Sequence, residues 1–212
     1  MDFPRPLVTG SAAFRRNRLP VEQERFRALA ETGQNPEIVV VGCCDSRVSP
    51  EVIFDARPGE LFVVRNVANL VPPYSATGQA HGVSAALEFA VQALAVRHVV
   101  VLGHARCGGI RAFAEHDAPL SPDDFIGNWM SLIKPAAAAV GPRGKLQLDD
   151  YLMRLEQASI LGSLTNLMTF PWVNARVTSD RLHVHAAYFD VANGLLSVHD
   201  PRSQAVVSLA GA

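Results

Sequence analysis

The sequence is short of net charge and of aromatic residues. Its 212 residues carry 19 lysines and arginines against 20 aspartates and glutamates, for a formal net charge of -1 at pH 7, and aromatics make up 7%. A chain this close to neutral lacks the strongly basic surface by which proteins bind nucleic acids or anionic membranes. We therefore expect neither a nucleic acid nor a membrane as a partner.

Long apolar runs and disulfide patterns are also missing. No apolar stretch reaches the roughly 18 residues of a membrane-spanning helix, and no apolar run follows a basic amino-terminal segment. The only three cysteines are Cys43, Cys44 and Cys107. An odd number with an adjacent pair makes a poor disulfide framework, whereas thiols kept for metal binding suit a reducing compartment. These absences predict a cytoplasmic protein.

What the sequence does contain is an alternation of strand and helix patterns. Helical stretches are predicted at 83–96 and 121–169, and a turn at 193–194 leads to a short antiparallel edge strand. Strands that alternate with crossover segments form parallel sheets. The predicted fold is α/β, with a central, mostly parallel sheet of four parallel strands and the antiparallel edge strand, flanked by helices. The four parallel strands are predicted at 37–42, 61–67, 98–102 and 182–190.

The first 36 residues carry no strand pattern. Within them, residues 21–33 have the pattern of a helix, with Phe26, Leu29 and Ala30 on one face and Gly33 as its stop. Such a helix needs a surface to pack on, either its own domain or a partner subunit. The predicted organisation is an amino-terminal helical arm over 1–36 and a single α/β domain over 37–212 that holds the candidate site.

A histidine and a cysteine stand three residues apart after the third predicted strand. Gly103 is expected to close that strand, so that His104 and Cys107 lie on the turn before a helix at 110–116. The carboxyl end of a strand is where α/β sheets place their chemistry. Imidazole and thiolate are two of the three protein ligands that a catalytic zinc needs. The alternative is a loop histidine beside a half-buried thiol.

The remaining ligand is predicted from the first strand, which runs directly into the segment CCDSR. Alternation along an extended chain puts Cys43 and Asp45 on one side and Cys44 on the other, toward the core. Arg47 can fix the Asp45 carboxylate by a charge-assisted hydrogen bond. Cys43 then completes a three-ligand set with the histidine and cysteine of the later turn. The other histidines show no partner pattern and are predicted to be surface or satisfied residues: His81, His98, His116, His183, His185 and His199.

These two motifs, CCDSR at 43–47 and HARCGG at 104–109, resemble the Cys-x-Asp-Ser-Arg and His-x-x-Cys hallmarks of the β-class carbonic anhydrases, in particular their plant-like branch. The resemblance implies zinc as the cofactor, carbon dioxide and bicarbonate as small-molecule substrates, and a homodimer or higher homo-oligomer. It covers nearly the whole chain after residue 34, through PGELFVVRNVANLVPPY at 58–74, GVSAALEFAV at 82–91, NLMTFPWV at 166–173 and YFDVANGLLSV at 188–198.

The roles that the resemblance implies can be assigned by position. Cys43, His104 and Cys107 would bind zinc, while Asp45 and Arg47 would form a dyad that orients zinc-bound hydroxide toward carbon dioxide. In a closed state that some members adopt, the carboxylate reaches the metal, so Asp45 is also the candidate fourth ligand. The implied substrate-binding residues are Gln34, which would reach a neighbouring subunit's pocket, and Phe62, Val67, Phe89 and Gly108.

Three rival functions remain open. The scaffold could hydrolyse carbon disulfide or carbonyl sulfide, or be a non-catalytic zinc protein with Asp45 as a permanent ligand, or be a thiol redox module using Cys43 and Cys44. An arginine two residues after Asp45 disfavours the second rival, since it would hold the carboxylate off the metal. The strain of a disulfide between adjacent cysteines disfavours the third.

The resemblance also bears on regulation. One branch of the family binds bicarbonate at an inhibitory second site through a tryptophan, an arginine and a tyrosine. In this sequence Val40 and Phe189 stand at the first and last of these positions, and only Arg65 is kept. We therefore predict no inhibitory site of that kind.

Overall fold

A computed structural model describes residues 3–76, 81–115, 118–200 and 206–209. The chain divides into two compact units, Met1–Asn35 and Pro36–Ala212. Among the residues so described, no helix combines the length and the apolar character needed to cross a bilayer.

The first unit is helical almost throughout. It contains α1, Arg5–Ala13, and α2, Leu19–Thr32, joined by a π-helical segment, Phe14–Arg18. The predicted stop is present, because Gly33 follows α2 with φ 80°, a left-handed conformation that glycine adopts without steric cost. Helical structure begins well before residue 21, where the sequence pattern first indicated it.

Apolar side chains of the first unit are only partly covered within it. The Phe14 ring packs edge-on against Phe26, with ring centroids 5.7 Å apart. Leu7, Val8 and Val21 are exposed. A helix with an exposed apolar face needs a partner surface to bury it.

Over its described residues, the second unit has six strands: β1 Ile38–Cys43, β2 Leu61–Asn66, β3 His98–His104, β4 His183–Phe189, β5 Leu196–His199 and β6 Val206–Ser208. Their order across the sheet is β2-β1-β3-β4-β5-β6. The first four pair in parallel, whereas β5 and β6 pair antiparallel. The predicted α/β fold with four parallel strands is thus confirmed.

Two details of the sheet differ from the prediction. β5 is not the edge strand, because β6 pairs with it; a strand of three exposed residues is too short for an alternation pattern to reveal. β3 does not stop at Gly103 but continues to His104, since the ladder with β4 runs through the pair His104–Phe189. Gly103 is needed there for close packing, because a Cβ at this position would collide with the Ile160 side chain.

Helices flank the sheet, and the predicted helical stretches are present over the described residues, whereas His116, at the end of the helix predicted at 110–116, lies outside them. One helix was not anticipated, at Pro171–Thr178, although proline suits the first turn of a helix. The helices of the second unit are α3 Pro50–Ile53, α4 Gly82–Glu88 with a π-helical continuation at Phe89–Ala93, α5 Gly108–Glu115, α6 Phe125–Met130, α7 Lys134–Val140, α8 Leu148–Leu167 and α9 Pro171–Thr178.

The two central strands, β1 and β3, are buried in the core. Val39 and Val41 of β1 and Val99 and Val101 of β3 are fully buried within one hydrophobic cluster. Because β1 and β3 are parallel neighbours with both faces packed, their carboxyl ends meet at the same edge of the sheet. The candidate site lies at this edge.

Candidate metal centre

Three side chains converge where β1 and β3 end. Cys43 is the last residue of β1, His104 is the last of β3, and Cys107 immediately precedes α5. The ligand atoms of these residues all lie within 4.8 Å of one another. The residues are 4%, 1% and 3% exposed, in the same order. The structure therefore brings together the three residues that the sequence indicated as metal ligands.

His104 directs an unsatisfied nitrogen into this cluster. Its Nδ1 lies 3.0 Å from the carbonyl oxygen of Ala105, which favours the tautomer with the proton on Nδ1. Nε2 is buried and has no hydrogen-bond partner within the described part of the chain. Buried polar atoms are rarely left unpaired. A metal-binding histidine donates its other ring N–H to such a carbonyl, so the His104 ring is arranged as a metal ligand.

The two thiols cannot both ionise without a compensating charge. The Cys43 sulfur accepts hydrogen bonds from the Cys107 thiol and from the backbone N–H groups of Asp45 and Ala68, the last two at 3.4 Å each. These hydrogen bonds, that of the Cys107 thiol above all, lower the pKa of Cys43 to about 4. That same contact, together with burial, raises the pKa of Cys107 far above its usual range. A second thiolate here requires a nearby cation. Two thiolates and one imidazole are a ligand set that zinc favours.

Asp45 lies beside the three ligands but is held by Arg47. The backbone N–H and Nε of Arg47 donate to Asp45 Oδ1 at 3.0 and 2.9 Å, and Nη2 donates to Oδ2 at 2.7 Å. These hydrogen bonds keep the pKa of the Asp45 carboxyl well below its usual range. Arg47 also donates to the carbonyl of Arg106 at 3.0 Å, which ties the two motif segments together.

Arg65, on β2, fixes the backbone of the first motif from the other side. Its Nε donates to the carbonyl of Cys43 at 2.8 Å, and its Nη2 donates to the carbonyl of Asp45 at 2.7 Å. The guanidinium is therefore engaged with backbone oxygens. Val40 is buried and Phe189 packs in the same small cluster, so both of these positions are apolar.

Glu156, in the middle of α8, supports the second motif and was missed by the sequence analysis. This side chain is 3% exposed, and its Oε1 accepts a hydrogen bond from the Cys107 N–H at 3.0 Å. Its Oε2 accepts from the Tyr188 hydroxyl at 2.7 Å. Burial raises the pKa of Glu156. The available signal was helical spacing, which puts this acid on the same face of α8 as the buried Leu152 and Ile160.

The backbone is strained at two residues that hydrogen-bond to site residues. Ala68, which donates to the Cys43 sulfur, has φ 65°, and Arg106, which accepts from Arg47, has φ 59°. Each left-handed non-glycine residue costs on the order of 1 kcal/mol and persists only where surrounding contacts enforce it. The hydrogen bonds of these two residues, from the Ala68 N–H to the Cys43 sulfur and from Arg47 to the Arg106 carbonyl, help to hold them in this conformation. Strain of this kind clusters at functional sites.

The implied substrate-binding residues are not all near the three ligands. Val67 packs in the apolar cluster that contains Cys43 and Cys107. Gly108 begins α5 directly after Cys107, and a Cβ placed on it would meet no atom within 4 Å. The structure therefore brings Val67 and Gly108 to the site.

Phe62 and Phe89 lie elsewhere in the second unit. Phe62 is in register with Val39, four residues before Cys43, which corresponds to about 13 Å along the strand. Its ring centroid lies 5.9 Å from that of Phe89, which is 49% exposed. Within one chain these two rings form a separate apolar surface. Gln34, in the first unit, is exposed.

Cys44 is exposed, and its predicted place in the core is wrong. The chain leaves the sheet after Cys43: the Cys44 N–H donates to the carbonyl of Asn66 at 2.9 Å, and the chain then turns. Beyond the end of the strand, the side opposite the metal ligands faces solvent instead of a helix layer. All three cysteines are free thiols, with Cys43 buried and Cys44 exposed.

This fold and ligand set match those of a known family. The family model described as Carbonic anhydrase matches residues 38–196. The chain belongs to the carbonic anhydrase family, in its β class, and the resemblance found in the sequence motifs is confirmed. Beta carbonic anhydrase 3 of Arabidopsis thaliana is 35% identical over 198 residues, covering 92% of this chain and 76% of that protein.

Other relatives are bacterial proteins and solved structures. A carbonic anhydrase of Pseudomonas aeruginosa is 35% identical over 206 residues, covering 97% of this chain and 92% of that protein. The structure of the β-carbonic anhydrase CcaA matches with a TM-score of 0.88 at 27% identity, covering 96% of this chain and 98% of that one. A structure from a study of two tetrameric β-carbonic anhydrases of Sordaria macrospora matches with a TM-score of 0.78 at 28% identity, covering 91% and 94%.

Proposed function

We propose that this chain catalyses the reversible hydration of carbon dioxide to bicarbonate and a proton, with zinc as its metal. The observation that carries the proposal is the convergence of Cys43, His104 and Cys107 beside the Asp45–Arg47 pair. Membership of the carbonic anhydrase family supports it independently. In this proposal residues 37–212 form the catalytic domain and residues 1–36 form an arm.

Each residue of the site has a defined part in the proposed reaction. Cys43, His104 and Cys107 would hold the zinc ion, which lowers the pKa of a water molecule that it binds and so makes hydroxide available near neutral pH. The ionised Asp45 carboxylate can only accept hydrogen bonds, so it would orient the attacking oxygen by accepting a hydrogen bond from it. Arg47 keeps that carboxylate ionised and in place.

The position of Asp45 favours an active enzyme over a structural zinc protein. Both of its carboxylate oxygens accept hydrogen bonds from Arg47, so neither is free to act as a permanent fourth ligand without breaking that pair. A catalytic zinc site differs from a structural one in having a fourth coordination position that no protein ligand occupies. The redox alternative is disfavoured because Cys43 is buried whereas Cys44 is exposed to solvent.

We further propose that the substrate pocket is completed by a second copy of the chain in a homodimer or higher oligomer. Phe89 is half-exposed and contacts Phe62 at a distance from the metal ligands of its own chain. Gln34 and exposed apolar residues of the arm, such as Val21, are further surface that association could bury. A relative named as tetrameric is in keeping with this. Light scattering of the purified protein should give at least twice the chain mass of 22.8 kDa.

A cytoplasmic location is also part of the proposal. Its support is the chemistry of the thiols: Cys43 and Cys107 must remain reduced to bind a metal, and a reducing compartment keeps them so. Fractionation of cells that express the full-length protein, with an antibody against it, tests the location directly.

The decisive test of the function is a stopped-flow assay of carbon dioxide hydration with matched zinc analysis. We expect about one zinc ion per chain in active protein, loss of activity on removal by a chelator, and recovery when zinc alone is returned. Full activity in zinc-free protein would exclude the proposed function. Assays with carbon disulfide and carbonyl sulfide in the same preparation separate the rival hydrolase from the hydratase.

A further inference from the structure

Three histidines that showed no partner pattern in the sequence meet at the amino end of the parallel strands. His98 begins β3 and is directly opposite His183 on β4, in register. His185 follows two residues later, so alternation puts its side chain on the same face as that of His183. This group is six residues, about 20 Å, from His104 along β3 and belongs to a different end of the sheet.

The His98 ring contacts both of the other rings. Its ring centroid lies 5.3 Å from that of His183, nearly stacked, and 5.3 Å from that of His185. The Nδ1 of His98 lies 3.1 Å from Nε2 of His185. His183 and His185 stay accessible to solvent, so an ion could reach them.

We propose that His98, His183 and His185 form a second, weaker site for a divalent transition-metal ion such as Zn2+ at the amino end of the sheet. Imidazole is the protein ligand shared by zinc, copper and nickel sites. Two nitrogens bound to one tetrahedral zinc ion at 2.0–2.1 Å are about 3.3 Å apart, close to the spacing between His98 and His185. In the structure the His98 and His183 rings are stacked, so chelation requires the rings to rotate until a nitrogen of His183 joins the other two as the third ligand.

The protonation and charge around the cluster suit a metal ligand of moderate strength. Burial lowers the pKa of His98 and of His185, and the neighbouring imidazoles lower it further, so both rings are neutral and keep a lone pair at neutral pH. The Arg97 charge opposes a cation here, whereas Glu37 favours one. An Asp180 carboxylate oxygen lies 3.8 Å from His183 Nδ1 at the solvent edge. With opposing charges close by, the affinity should be well below that of the thiolate site.

The test is calorimetric titration of the purified protein with Zn2+, after the tightly bound zinc has been quantified and loose metal removed. We expect one further zinc ion per chain with a dissociation constant on the order of micromolar. His98→Asn should weaken this binding by about tenfold or more, because one of three ligands is lost. The tightly bound zinc and the rate of carbon dioxide hydration without added metal should be unchanged, so that failure here is distinguishable from failure of the proposed function.

His199→Asn is the matched control. Val198 pairs with Ala187, whose side chain lies on the same face of the sheet as those of His183 and His185. His199 is the next residue after Val198, so its side chain lies on the opposite face. It should bind the further zinc ion as the wild type does. Should His98→Asn fail to fold, the exposed His185→Asn replaces it with the same expectation. A wild-type protein without a further zinc ion, or cluster variants that bind as tightly as wild type, would overturn the proposal.

Discussion

Arg47 donates hydrogen bonds to both carboxylate oxygens of Asp45, from Nε to Oδ1 at 2.9 Å and from Nη2 to Oδ2 at 2.7 Å. Two parallel, charge-assisted bonds of this kind fix both the position and the plane of a carboxylate. Arg47 is in turn tied to the carbonyl of Arg106, which lies directly before Cys107. One arginine thus couples the orientation of the carboxylate to the loop that carries a metal ligand.

The first prediction concerns this pair. Arg47→Ala should reduce the rate of carbon dioxide hydration by about a hundredfold, because Asp45 loses the partner that holds its carboxylate in position to orient the attacking oxygen. The zinc content should stay at the wild-type level, since Arg47 is not a ligand. Stopped-flow rates and metal analysis on one preparation measure both quantities.

Arg111→Ala provides the control for Arg47→Ala. Arg111 also pairs with a carboxylate, that of Asp149 at 3.4 Å, but both side chains are exposed and neither contacts Asp45. Surface pairs of this kind contribute little, so the control should keep its activity. An Arg47→Ala variant that hydrates carbon dioxide at full rate would mean that the dyad has been misassigned.

The second prediction concerns Glu156. Removing its carboxylate in Glu156→Ala leaves the Cys107 N–H and the Tyr188 hydroxyl without their partner, and should lower the free energy of unfolding by about 3 kcal/mol. Zinc should also be lost faster to a chelator, because the Cys107 loop is no longer held. Glu156→Gln keeps an acceptor for the Cys107 N–H and should recover most of both losses. Denaturant unfolding and chelator kinetics that are equal in all three proteins would contradict this role.

The third prediction is a dependence of stability on pH that comes from His98. Its pKa in the folded protein lies below the usual value of 6.5, chiefly because of burial, so the unfolded chain binds more protons in the interval between the two values. Stability should therefore rise with pH through the interval just below 6.5 and be lost as the pH falls through it. His98→Gln should flatten the profile of melting temperature between about pH 5 and about pH 7. His185 shifts in the same direction, so part of the slope should remain in the single variant.

The fourth prediction is that bicarbonate does not inhibit the enzyme cooperatively at a second site. Arg65 already donates to the carbonyls of Cys43 and Asp45, and Val40 and Phe189 are apolar positions. To bind Arg65, an anion would have to displace both of its hydrogen bonds to the backbone. The side chains of Val40 and Phe189 have no hydrogen-bond donor that could hold the anion. Initial rates as a function of bicarbonate concentration should follow a simple saturation or competition curve. A sigmoidal inhibition curve that is lost in Arg65→Ala would show the prediction to be wrong.

The parts of the site that follow a local rule could be predicted from sequence. Strand patterns placed Cys43 and His104 near the carboxyl ends of β1 and β3, and parallel pairing of the two strands brought these residues together. The alternation rule failed for Cys44, because it assumes helix layers on both sides and the chain had already left the sheet. The extension of β3 past Gly103 was missed because the packing of Ile160 against that glycine is a long-range contact.

Other features depend on contacts between distant segments and could not be predicted from local patterns. Glu156 reaches Cys107 across 49 residues of sequence. His98 meets His185 only because β3 and β4 are neighbours in a defined register. Phe62 and Phe89 were assigned to the pocket through the family resemblance, and that role remains a prediction because one chain holds these rings away from the metal ligands.

The central claim is that Cys43, His104 and Cys107 bind one zinc ion and leave a fourth position for water. Zinc X-ray absorption spectroscopy on the active protein measures this directly. The expected spectrum has two sulfur neighbours at about 2.3 Å and two nitrogen or oxygen neighbours at about 2.0 Å, one of them with the scattering pattern of imidazole. A first shell without sulfur, or with more than two sulfurs, would contradict the account.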